Sequence, residues 1–129
     1  MFDRIEIMRK AQAMAAHAGM RQGLAAQNVA HADTPGFRPS DLMPFADAYR
    51  AGPALDLRQT RAGHLGAAGG TAGWRVRDAT DGAALSPNGN AVSLEREMIR
   101  GADIRAQHDM ALAIYQSSLG ILRSSLGRR

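Results

Sequence analysis

No helix can run through Asp33-Thr34-Pro35-Gly36, and that stop divides the chain into parts of different character. Pro35 fixes its own φ and pushes Thr34 toward extended backbone, while Gly36 tolerates positive φ. Asp33 and Thr34 have short side chains that bond nearby backbone groups, which suits a turn. A helix arriving through Val29 must therefore end near Ala32. Taken alone, this is an ordinary helix stop.

Upstream of the stop, residues 2 to about 31 read as one helix of roughly 45 Å at 1.5 Å per residue. Ile5, Met8, Gln12, Ala15, Gly19, Gln22, Ala26 and Val29 step by three and four, the spacing of a seam along which one helix lies on another. Met14, Met20 and Leu24 fall outside that seam and widen the apolar surface. The seam is rich in small residues, so a partner helix can come close. It is too poor in large apolar groups to stand alone, and the helix needs partners.

A second helix is expected after the turn residues Pro87-Asn88-Gly89-Asn90. Ser93 is placed to cap it, and Glu95 and Glu97 lie in the first turn, where carboxylates favour the helix dipole. Leu94, Met98, Gly101, Arg105, His108, Leu112, Tyr115, Leu119, Leu122 and Leu126 keep the three-and-four spacing throughout. Ile104, Ala111, Ile114 and Ile121 add a second stripe. Pairing within one chain needs only one stripe, so two imply neighbours from other subunits. Arg105 and His108 interrupt the first, where solvent or a partner must satisfy them.

Residues 38–87 carry four of the five prolines and little pattern. Leu42 to Tyr49 is a short apolar patch with Phe45 and Tyr49 one helical turn apart. Leu55-Asp56-Leu57 and Trp74-Arg75-Val76 alternate as short strands do, and Gly66 to Gly73 reads as a small-residue linker. Such a long, weakly patterned connection suits extended, partner-dependent structure rather than an independent fold. The fold class is mainly α, with long N- and C-terminal helices and an irregular middle that has room for short strands.

Within 129 residues, apolar content is 45% but much of it is alanine and aromatics are only 5%, which argues against a large core. The net charge of +4 is almost wholly arginine, Lys10 being the only lysine, and it is dispersed enough to read as a solvated, salt-bridging surface. No cysteine is present, which excludes thiolate chemistry and disulfides. No signal peptide is visible, because Glu6, Arg9 and Lys10 interrupt any early apolar run, and no run approaches the ~20 residues of a membrane span. His17, His31, His64 and His108 lack metal-ligand spacing and read as surface or interface residues. Glu95 and Glu97 point apart, and the serine pairs 117–118 and 124–125 have no nearby His and Asp. The Gly66–Gly73 stretch lacks the Lys-Ser/Thr of a phosphate loop, and the seven methionines suit gap filling. No catalytic residue, cofactor or metal site is expected.

Two short blocks add a resemblance. Asn28-x-Ala30-x-x-x-Thr34-Pro35-Gly36-Phe37, with Asp33 before the threonine, resembles the N-terminal signature of the bacterial flagellar axial proteins. Asn88-Gly89-Asn90-Ala91-Val92-Ser93-Leu94-Glu95-Arg96-Glu97-Met98 resembles the block that opens the C-terminal helix of their short rod members. His31 stands where the family usually has a second Asn. The chain is thus similar to the flagellar basal-body rod protein family, and within it to a proximal rod member. The resemblance covers roughly the first 40 and last 45 residues.

That resemblance implies that segments 1–37 and 88–129 pair as a coiled coil, with 38–87 as the connecting segment, and stack as the inner tube of a helical axial structure. Packing and assembly would then fall to Ile5, Met8, Ala15, Val29, Leu94, Met98, Leu112, Tyr115, Leu119, Leu122 and Leu126. The implied partners are copies of the chain, other rod proteins, the MS-ring adaptor and the export gate, with no nucleic acid and no membrane insertion. The implied location is the periplasmic part of the basal body, reached through the flagellar type III export apparatus without a cleavable signal. The rival from charge alone is a basic helical hairpin that binds nucleic acid or acts as an adaptor. It would need arginines gathered on one face, and here they are scattered.

Overall fold

The computed structural model describes residues 2–50, 74–82 and 84–127 of the chain. In chain order the elements are α1 (Phe2–Ala30), β1 (Ser40–Leu42), α2 (Phe45–Arg50), β2 (Val76–Asp78) and α3 (Leu94–Ser125). The protein is mainly helical, and α1 and α3 dominate it. Helix α1 ends where the sequence requires. Two residues short of the predicted stop the chain leaves the helix, and Thr34 N–H donates to the His31 carbonyl in the turn that follows.

The two long helices pack against one another and run antiparallel. Asn28, near the end of α1, meets Glu97 near the start of α3, and Arg21 meets Gln107 further along. Their contact is built mostly from alanine. Ala11, Ala18 and Ala25 are buried on α1 at seven-residue intervals, opposite Ile104 and Ala111 on α3. This is a heptad seam, but it lies one position before the row expected on α1. Of that row, Ile5, Gln12, Gly19, Gln22, Ala26 and Val29 are exposed, while Met8 and Ala15 are half-buried. On α3 the inward stripe is the one containing Ile104 and Ala111. Tyr115, Leu119 and Leu122 are half-buried, and Leu94, Met98, Leu112 and Leu126 are exposed. Alanine explains the offset: it buries little area per residue, so periodicity weighted by large side chains points elsewhere, yet it lets two helices approach closely.

The middle segment is more ordered at its edges than its composition suggests. Strands β1 and β2 form an antiparallel pair, with Ser40 opposite Asp78, Asp41 opposite Arg77 and Leu42 opposite Val76. The bonds Met43 N–H to Arg75 carbonyl and Ala79 N–H to Pro39 carbonyl, both 2.9 Å, extend the ladder at each end. Strand β1 packs on α1 through Leu42, which is fully buried. Pro44 immediately precedes α2, its carbonyl accepting from Ala48, and the rings of Phe45 and Tyr49 lie 5.4 Å apart, tilted against one another, as their one-turn spacing predicts. The Leu55–Leu57 and Gly66–Gly73 stretches lie outside the described residues. No helix among the described residues is long and apolar enough to cross a membrane.

Candidate functional site

The two sequence blocks, nearly sixty residues apart, form one junction. Asn90 is buried, and its side-chain amide donates to the carbonyls of His31, at 2.9 Å, and Thr34, at 2.6 Å. Its side-chain oxygen accepts from Val92 N–H at 2.7 Å, so one residue ties the turn after α1 to the entry of α3. Backbone bonds reinforce it: Gly36 N–H to the Asn88 carbonyl at 3.1 Å, and Ala91 N–H to the Phe37 carbonyl at 3.0 Å. Gly36 and Gly89 adopt φ of 70° and 79°, and a side chain at Gly89 would lie 3.6 Å from Gly36 Cα. The glycines of the two blocks are therefore back to back. Phe37 stacks on His31 at 4.6 Å, nearly parallel, and the His31 Nδ1 donates to the Gln27 carbonyl.

Asn28 is completely buried and does not act as a cap for the turn after it. It holds β1: its amide nitrogen donates to the Ser40 carbonyl at 2.9 Å and its oxygen accepts from Ser40 N–H at 3.0 Å. The same nitrogen lies 3.3 Å from Glu97. A single asparagine thus satisfies both backbone groups of a strand residue and reaches α3.

Beside it, Asp41 is 1% exposed and binds Arg21 through both carboxylate oxygens, at 2.9 and 2.7 Å. Arg77 of β2 and Arg100 of α3 approach the same carboxylate at 3.7 and 3.6 Å. Three arginines from three elements therefore converge on one buried charge. Arg100 also pairs with Glu97 and Asp81, and Arg21 donates to Gln107 at 3.0 Å. Burial pushes the Asp41 carboxyl up, but the Arg21 bonds and charge, the Leu42 N–H and the Arg100 charge together outweigh it and hold the group below its ordinary value.

Here the sequence reading needs correcting. The charge is not all solvated surface, because Asp41 and Glu97 are buried and Arg21 and Arg100 are largely covered. Glu97 does more than offset a helix dipole. His17 is no surface residue: it is 1% exposed, its Nε2 donates to the Met43 carbonyl at 2.9 Å, and Phe45 and Trp74 meet its ring edge-on. Burial is the main force lowering its pKa. His31 and His108 are half-buried, and His64 lies outside the described residues. Ser93 occupies the N-cap position of α3 but its side chain makes no capping bond.

Of the remaining motif residues, Ala30, Asp33, Thr34, Pro35 and Gly36 are exposed, and Phe37 and Gly89 are half-buried. Neither Asp41 nor Arg100 carries a local sequence signal.

No protein-family model matches the chain. Over 116 residues it is 28% identical to the flagellar basal body rod protein FlgB of Agrobacterium fabrum, a match covering 88% of this chain and 87% of that protein. The match takes in nearly the same large share of both proteins.

Proposed function

We propose that the chain is a structural subunit of the bacterial flagellar basal-body rod, of the proximal kind, assembling through its terminal helices into a helical tube. The observation that carries this reading is the similarity to FlgB over nearly the whole of both chains. The junction supports it: the two blocks that resemble axial proteins make one another's hydrogen bonds, so each has a physical reason to accompany the other. The surface supports it too. Leu94, Met98, Ile99, Met110, Ile121 and Leu126 are exposed on α3, an apolar area that calls for neighbours.

In such a tube the subunits pack head to tail without closing, as heterologous contacts do. The partners are copies of this chain, other rod proteins, and at the base the MS-ring adaptor and the export gate. The subunit transmits torque and lines the export channel, and it turns over no substrate. It reaches the periplasmic part of the basal body through the flagellar export apparatus. Segments 1–37 and 88–129 form the axial helical unit and 38–87 its connection. The arginines favour this reading over nucleic-acid binding, since Arg21, Arg77 and Arg100 are spent on internal carboxylates.

Electron microscopy of basal bodies from a strain lacking the gene tests the proposal. Rings without a rod, restored by the wild-type gene, are the expected result. Complete rods and hooks in the deletion strain would overturn it.

A further inference from the structure

The residues that step by three and four along each long helix do not face each other. At 3.6 residues per turn, the α1 row stands about 100° round from the alanine seam, and the α3 row is displaced in the same sense. Because the helices are antiparallel, both rows come to the same side of the pair. There they flank an open groove of about 650 Å³ whose walls include Gly19, Gln22, Gly101, Ile104, Arg105 and His108. The periodicity of each helix thus records a face directed away from its intramolecular partner. Among the described residues nothing requires the glycines: a Cβ added at Gly19 or Gly101 meets no atom of theirs within 4 Å. Glycine inside a helix is destabilising relative to alanine, and here the inner packing offers no compensation.

The other flank of α3 carries large side chains, of which Ile99 and Asp103 form one wall of a shallow hollow shared with Arg77 and Arg96. Ile99, 66% exposed, and Met110, 52% exposed, stand with Ile114 and Ile121 as a ridge of large apolar side chains, and Asp103 lies among them. Ridge and groove match in spacing and charge. Ile99 and Asp103 are one helical turn apart, and so are Gly101 and Arg105. If a neighbouring α3 lies parallel with its ridge shifted by two residues, Ile99 enters the opening at Gly101 while Asp103 meets Arg105. Met110 then meets the exposed Leu112. One face filling a different face on an identical chain is a heterologous contact, which propagates instead of closing.

We infer that the groove between α1 and α3 receives the Ile99–Asp103–Met110 ridge of α3 from a second copy of this chain, parallel and offset by two residues. The inference rests on the rod reading only in taking another copy as the occupant, and it deepens that reading by naming the two faces and their register. Other occupants of the groove are outcomes of the test.

The chain has no cysteine, so introduced thiols are unique. Purified full-length Gly101→Cys and Ile99→Cys variants, mixed under mild oxidation by copper–phenanthroline, are expected to give disulfide-linked pairs well above those formed by either alone. Leu112→Cys mixed with Met110→Cys is a second pair at the same offset and behaves alike, which covers a failure of either first variant to fold. Adding Arg105→Asp to the Gly101→Cys chain abolishes the mixed pair, and adding Asp103→Arg to the Ile99→Cys chain restores it. Equal self- and mixed linkage, or no linkage from either set, overturns the inference. Rods missing in the deletion strain with no mixed linkage would leave the rod reading standing and assign the groove to a different protein. Mixed linkage together with intact rods in the deletion strain would do the reverse.

Discussion

The side-chain amide of Asn90 donates a 2.6 Å hydrogen bond to the carbonyl of Thr34, across 56 positions of sequence. That contact turns two short motifs into one structural unit. The turn after α1 has carbonyls that no helix can use, and the entry to α3 supplies the donor.

Replacing Asn90 therefore opens the junction from both sides. Asn90→Ala removes the side-chain donor shared by the His31 and Thr34 carbonyls and the acceptor for the Val92 N–H, and is expected to cost about 2–3 kcal/mol. Asn90→Asp is expected to cost as much, because a carboxylate keeps the acceptor for Val92 but places negative charge against two carbonyl oxygens. Urea unfolding of the two variants checks this. A shift of less than about 0.5 kcal/mol for both would mean that the backbone bonds hold the junction without Asn90.

The helices and their ends were legible because they follow local rules. Pro35 and Gly36 fix the end of α1, the three-and-four spacing fixes its extent, and the Asn88–Asn90 turn fixes the start of α3. The inner face was not legible, because it is made of Ala11, Ala18, Ala25 and Ala111, which carry little hydrophobic contrast with the rows beside them. The Asp41 cluster was hidden for a different reason. A buried carboxylate has no sequence signature when its three arginines come from α1, β2 and α3, since only tertiary structure brings residues 21, 77 and 100 together. Asn28 was visible as a motif residue, but its role in holding Ser40 depends on where β1 lies and could not be read from spacing.

Asp41 predicts an acid dependence. Its folded-state pKa lies below the ordinary 3.8, so its contribution is fully present above that value and is lost as pH falls through the lower folded value. Asp41→Asn removes the charge that gathers three arginines and is expected to destabilise by about 3–5 kcal/mol near neutrality. The gap between wild type and variant should narrow in unfolding experiments taken from about pH 6 to below about pH 3. A gap that stays constant over that range would show that Asp41 is not the titrating group.

His17 predicts a second dependence at milder pH. Burial lowers its pKa, with the Arg21 charge acting in the same direction and the Met43 carbonyl and Asp41 opposing. The unfolded chain therefore takes up the proton first, so stability is fully present above about 6.5 and declines as pH falls toward the folded value. His17→Gln, whose amide can still donate to the Met43 carbonyl, should flatten this decline. Trp74, the only tryptophan, touches the His17 ring and gives a local fluorescence readout of the same titration. An unchanged slope in His17→Gln would assign the decline to another group.

Two glycines should respond oppositely to alanine. Gly89 has a φ of 79°, so Gly89→Ala forces a side chain into left-handed backbone at a cost of about 1–2 kcal/mol. Gly101 lies inside α3 with open space around it, so Gly101→Ala should stabilise the isolated chain by roughly 0.5–1 kcal/mol. Thermal unfolding of the isolated variants separates the two effects. Destabilisation by Gly101→Ala would mean that α1 approaches α3 more closely than the structure has it.

Folding and assembly should come apart at Met98. Its side chain is 74% exposed, so Met98→Asp removes no inner contact and should change the stability of the isolated chain by no more than about 0.5 kcal/mol. Ile104→Asp is the opposing control: Ile104 is fully buried between the helices, and a carboxylate there has neither water nor a partner. Met98 lies on the groove side of α3, where the proposed rod assembly requires a neighbour to exclude water. Met98→Asp should therefore yield a folded chain that fails to restore rods or swimming in the deletion strain, whereas Ile104→Asp fails already at folding. Circular dichroism on the purified variants and motility of the complemented strains distinguish the two failures. Full motility with Met98→Asp would place the assembly contact elsewhere on the helix pair.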